Sequence, residues 1–69
     1  MPYLNLKAEM GRRDVTIESI AQVLDIHRNS VANKLKGDST FYIDEAIKIR
    51  DAFFPDADLT ELFQKNEPE

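Results

Sequence analysis

The sequence predicts an all-α fold of five short helices around one core. Three observations carry this. Apolar residues recur at helical spacing, as in Leu6/Met10 and Val31/Leu35, and no stretch alternates long enough for a strand. Start and stop signals bracket those stretches: Thr16 and Asp58 are good caps, and Gly37 and Pro55 are good stops. With 69 residues and no cysteine, the chain is one domain that must hold itself by apolar burial, for which a 42% apolar content suffices.

The first helix is expected over residues 5–13, with residues 1–4 as a loose arm. Asn5 can cap it, and Leu6 and Met10 face the core at i,i+4. Gly11 inside it costs about 1 kcal/mol against alanine. Asp14 ends it, since aspartate tolerates the left-handed conformation better than most residues.

The second helix is expected over 17–24. Thr16 caps it through its hydroxyl. Val15, just before the cap, and Ile20, four residues after it, form a hydrophobic staple. Ile20, Ala21, Val23 and Leu24 make a narrow apolar stripe. Asp25 lies where the chain must leave the helix. Ile26 and Val31 repeat the staple around His27, opening a third helix over 28–36. Leu35 continues that face, and Gly37 supplies the left-handed stop. Two helices with thin apolar stripes, separated by so short a turn, suit a helix-turn-helix.

Asp38-Ser39-Thr40 reads as a loop. The fourth helix is expected over 43–53. Ile43, Ala46, Ile47, Ile49, Ala52, Phe53 and Phe54 offer more apolar surface than one stripe needs. Either this helix is the most buried or one of its faces is an interface. Pro55 stops it. Asp58 and Glu61 have capping-box spacing for a fifth helix over 59–64, which seats Leu59, Leu62 and Phe63 on the core. Residues 65–69 read as a polar tail.

Composition excludes several classes. One histidine, no cysteine and only Gly11 and Gly37 leave no nucleophile–base arrangement that spacing identifies and no glycine-rich phosphate loop. No catalytic residue, metal ligand, cofactor or small-molecule substrate is expected. No apolar run approaches the ~20 residues of a membrane span, and no signal peptide is visible, so a cytoplasmic location without a membrane partner is the expectation. The net charge of −4 is unevenly spread. Residues 1–40 carry +1, residues 41–69 carry −5, and the stretch 27–36 alone carries +3. Affinity for DNA depends on the face shown to phosphate, not on the total.

The outward face of the third helix carries Arg28, Asn29, Asn33 and Lys36, with no acid between Asp25 and Asp38. Residues at the N-terminus of the second helix of a helix-turn-helix meet base edges. Arginine matches guanine O6 and N7, and asparagine matches adenine N6 and N7. Arg28, Asn29 and Asn33 are therefore the candidate base contacts. The same residues would also make an ordinary solvated face. His27, which caps poorly, and Ser30 are further candidate DNA contacts. Thr16, Lys34, Lys36, Lys7, Arg12 and Arg13 are candidate phosphate contacts. Phe41, Tyr42, Phe53, Phe54 and Phe63 read as core, with Phe54, Leu59 and Phe63 as a candidate dimer patch.

The pattern Thr-x-x-x-Ile-Ala-x-Val-Leu-x-Ile-x-x-x-Ser-Val-x-x-x-Leu-x-Gly at residues 16–37 resembles the phage repressor and Cro-like helix-turn-helix family. This is the xenobiotic-response-element family, with its lambda-repressor-like DNA-binding domain. The resemblance continues through Phe41–Lys48 and Asp58–Phe63. It implies a compact five-helix domain and the same base-reading positions, Arg28, Asn29 and Asn33. It also implies a homodimer on a palindromic double-stranded DNA operator, of phage or prophage origin. Four positions depart from the family pattern. His27 and Tyr42 replace capping Ser or Thr, Asp38 puts an acid in a loop that is usually neutral or basic, and Ile17 replaces a common glutamine. Ile17 could instead touch a thymine methyl or a partner protein.

The expected function is thus a sequence-specific DNA-binding transcriptional regulator. The alternative is an acidic protein-interaction module on the same fold, binding a repressor or polymerase rather than DNA. The alternative gains if Glu18, Asp25 and Asp38 flank and neutralise the face around Arg28, Asn33 and Lys36.

Overall fold

A computed structural model describes residues 3–65. Five helices follow in order: α1 (Leu4–Arg12), α2 (Ile17–Leu24), α3 (Arg28–Lys36), α4 (Ile43–Phe53) and α5 (Leu59–Leu62). There is no strand among the described residues. The second to fourth helices match the sequence expectation residue for residue. The first begins and ends one residue earlier, and the fifth is two residues shorter.

Each helix places at least one apolar side chain at the centre. Leu6, Ile20, Val31 and Ile49 are fully buried, as is Phe54 just past α4, and Leu62 of α5 joins them. The helix α2 packs on both α3 and α4, and α5 packs on α4 and α1. Val15, Ile17, Ile26, Phe53 and Phe63 pack around this centre, half-buried. The two staples therefore do what their spacing implies, with Val15 and Ile26 at the core edge and Ile20 and Val31 inside it. Val23 instead lies at the surface.

Three helix ends share one solution. Asp14, Asp25 and Gly37 all take positive φ, at 56°, 57° and 94°. After each, the chain folds back onto the helix: Val15 N–H donates to Met10 O, Ile26 N–H to Ala21 O, and Asp38 N–H to Asn33 O, at 2.9, 3.1 and 3.0 Å. These bonds satisfy carbonyls that a helix end leaves unpaired. At the N-termini, Thr16 Oγ1 accepts from Ser19 N–H at 3.1 Å and Asp58 Oδ2 accepts from Glu61 N–H at 3.0 Å.

Several expectations are corrected. Residues 1–2 lie outside the described residues, but Tyr3 and Leu4 form no loose arm. Tyr3 is 2% exposed, and Leu4 begins α1. Tyr3 takes φ 60°, costly for a non-glycine residue. Its ring offsets that cost by packing edge-on against Phe41 (5.2 Å between centroids) and Phe63 (6.4 Å). Asn5 does not cap α1; its Nδ2 donates to Glu61 O at 2.8 Å, tying α1 to α5. Nor is α4 buried all round, since Tyr42, Ile43 and Ile47 are exposed. Phe54 is 0% exposed and cannot belong to a dimer patch. Of the tail, Lys65 is described and exposed, and residues 66–69 lie outside the described residues.

Candidate nucleic-acid interface

Val31 and Leu35 fix α3 to the core by one stripe. At ~100° per residue, Asn29, Asn33 and Lys36 fall on the opposite side of the helix. Arg28, Asn29, Ser30, Asn33 and Lys36 are all exposed. No acid occurs within α3. The helix thus presents hydrogen-bonding groups of both senses at Asn29 and Asn33, and cations at each end.

His27 corrects an expectation. Its Nδ1 accepts from Asn29 N–H at 3.0 Å, so it does cap α3, from extended backbone (φ −69°, ψ 146°). An accepting Nδ1 leaves Nε2 to carry the proton and act as the donor.

Arg28 is not solitary. Its Nη1 donates to Glu18 Oε1 at 3.2 Å, bridging the first turns of α2 and α3. Both side chains are largely exposed, so the pair is worth about 0–1 kcal/mol and is readily exchanged for another partner. A ten-residue separation hides such a pair from helical spacing rules; only the packing of α2 on α3 reveals it.

The phosphate candidates divide. Lys36 is exposed on α3, and Thr16 is exposed at the start of α2, its hydroxyl engaged in the cap and 2.9 Å from Ser19 Oγ. Lys34 does not face solvent. It is 7% exposed; its Nζ donates to Thr40 O at 2.9 Å, pairs with Glu45 Oε1 at 3.1 Å and lies 4.8 Å from the centre of the Tyr42 ring. Glu45 also accepts from Tyr42 N–H at 3.0 Å. Lys34 therefore joins α3 to the loop and first turn of α4 and is no free phosphate donor. Lys7 is half-buried. Arg12 is exposed and pairs with Glu9 at 3.1 Å. Arg13 binds Asp56 through both guanidinium nitrogens, at 2.7 and 3.0 Å, and pairs with Glu9 at 3.2 Å. The bond to Asp56 raises the Arg13 pKa, and the bond from Arg13 holds the Asp56 carboxyl below the usual carboxylate range. Arg13 thus clamps α1 to the loop between α4 and α5.

Ile17, expected to be exposed, is half-buried with one side against the core. With Ala32 it lies in a shallow open depression of about 480 Å³, lined also by Thr16, Glu18, Arg28 and Asn29. The part played by Ala32 was not read from the sequence. It had a signal: Ala32 is the lone apolar residue of α3 outside the Val31/Leu35 stripe. Leu59 and Phe63 line a separate groove of about 720 Å³ beside the start of α4, with Ile43 on its rim.

Among the described residues, no three His, Asp or Glu side chains cluster in a way that could hold a metal ion. Nor is any helix among them long and apolar enough to cross a membrane. No protein-family model matches the chain, and neither a curated protein nor a solved structure does.

Proposed function

We propose that this chain is a sequence-specific DNA-binding transcriptional regulator, a small Cro-like repressor of the lambda-repressor-like, helix-turn-helix kind. One observation carries the reading: α3 is anchored by Val31 and Leu35 while Arg28, Asn29, Ser30, Asn33 and Lys36 stand exposed on a helix without acids. An α-helix with side chains, about 10–12 Å across, fits a major groove about 12 Å wide. The positive end of the helix dipole lies at Arg28 and favours approach to phosphate. Arg28, Asn29 and Asn33 would read bases; Lys36 and Thr16 would meet phosphates. Regulation would come from occupying a promoter, not from catalysis. Binding as a homodimer to half-sites about 34–36 Å apart would leave α4 and α5 to form the dimer contact.

A second reading rests on two observations of its own. Glu18 neutralises Arg28 at 3.2 Å, and Tyr42, Ile43 and Ile47 leave apolar surface exposed on α4. These favour a protein-interaction module that binds a repressor or polymerase.

Selection of bound duplexes from a random DNA pool at two salt concentrations separates the readings. The regulator should enrich a palindromic motif, with affinity falling steeply as salt rises. A folded protein that enriches nothing at low salt would refute the first reading and leave the second.

A further inference from the structure

The depression between α2 and α3 has a floor unlike its rim. Ile17 and Ala32 supply the apolar surface; Arg28 and Asn29 supply donors beside it, three and four residues before Ala32 on the same helix. Ile17 is held from behind by the core, so its outer half is a fixed surface rather than a mobile chain. Glu18 stands on the rim with its carboxylate 3.2 Å from Arg28 Nη1. A phosphate entering here would meet that acid and two apolar side chains that offer no hydrogen bond. An exocyclic amine or a carbonyl at the floor would lose its water and gain no partner. A methyl group has no such cost. In the major groove only one group on an ordinary base pair is apolar, the C5-methyl of thymine.

We infer that Ile17 and Ala32 receive the C5-methyl group of a thymine, so that an apolar contact at the junction of α2 and α3 specifies a T·A pair next to the bases read by Arg28 and Asn29. This rests on the proposed placement of α3 in the major groove. It adds a specificity determinant that hydrogen-bonding residues alone do not supply.

Deoxyuridine tests it, because it keeps every hydrogen-bonding atom of thymine and lacks only the methyl. Selection is run from three random duplex pools: one ordinary, one with deoxyuridine in place of thymidine, and one with 5-methylcytosine in place of cytosine. Single deoxyuridine substitutions are then made in the duplex enriched from the ordinary pool. The expected result is one thymine per half-site whose replacement weakens binding about fourfold, the worth of one buried methyl. Ile17→Ala, checked for an unchanged melting temperature, should bind the thymidine and deoxyuridine duplexes equally. The deoxyuridine arm alters only the DNA, so it stands even where that variant unfolds. A motif enriched equally from the ordinary and deoxyuridine pools, with no sensitive position, would overturn the inference and leave the regulator reading intact. Enrichment from the 5-methylcytosine pool alone would overturn the assignment to thymine. No enrichment from any pool by folded protein would overturn both the inference and the regulator reading.

Discussion

Lys34 and Lys36 lie two residues apart on one helix, yet the structure assigns them opposite roles, and replacing each tests the assignment. Lys34→Met keeps most of the apolar stem and removes the ammonium. Glu45 then loses its cation at 3.1 Å, and Thr40 O loses a donor at 2.9 Å. Removing one partner of a buried ion pair typically costs about 3–5 kcal/mol, because the remaining charge is left without compensation. Glu45 keeps the Tyr42 N–H and some contact with water, which places the cost at the lower end, about 2–3 kcal/mol. For a domain of this size, 1 kcal/mol moves the melting temperature by about 4–8 °C, so a fall of about 10–20 °C is expected. Lys36→Ala, at an exposed position, should change stability by no more than about 0.5 kcal/mol. If DNA is the partner, it should also lower the slope of log affinity against log salt by about 1. Thermal and urea unfolding, followed by circular dichroism, measure the first effect; a salt titration of binding measures the second. A Lys34→Met protein that melts within about 3 °C of the parent would refute the claim that the buried pair supports the junction of α3 and α4.

Four further expectations follow from the same geometry. Arg28→Ala removes an exposed side chain whose ion pair is worth little, so melting should hardly move, while binding to the selected duplex should fall by the equivalent of about 1–3 kcal/mol; unchanged affinity would remove Arg28 from base reading. Glu18→Gln frees Arg28 and deletes an acid beside the DNA face, so affinity for that duplex should rise and its salt dependence steepen, as a gel-shift salt series would show. Asp56 has a depressed pKa in the folded state, so its contribution to stability is present above the ordinary carboxylate range and is lost as pH falls through it. Urea midpoints of Asp56→Asn should therefore lie below those of the parent at neutral pH, the gap closing below about pH 4; a gap that persists at pH 2 would contradict this. Asp25→Gly places glycine where φ is 57° and should raise stability by up to about 1 kcal/mol, unless the added freedom of the unfolded chain outweighs the relief.

The sequence alone determined the helical architecture, because its signals are local. Thr16, Asp58 and Gly37 act on the backbone within a few residues of themselves, so α2, α3 and α4 were legible to the residue. Asp14 and Asp25 were readable as left-handed ends for the same reason. Tyr3 could have been found from its i,i+3 spacing to Leu6, but its fit against Phe41 and Phe63 joins three distant parts of the chain. The polar face of α3 was legible as a pattern; which of its members are free was not. Lys34 is buried because α3, the 37–42 loop and α4 converge on it, Arg28 is paired because α2 packs on α3, and Arg13 is engaged because Asp56 lies 43 positions along the chain. The apolar depression at Ile17 and Ala32 likewise exists only once two helix starts are brought side by side. Periodicity reports which face of a helix avoids water, since that depends on neighbours in sequence. Which charges and which apolar atoms remain available to a partner depends on neighbours in space, and only the packed helices decide that.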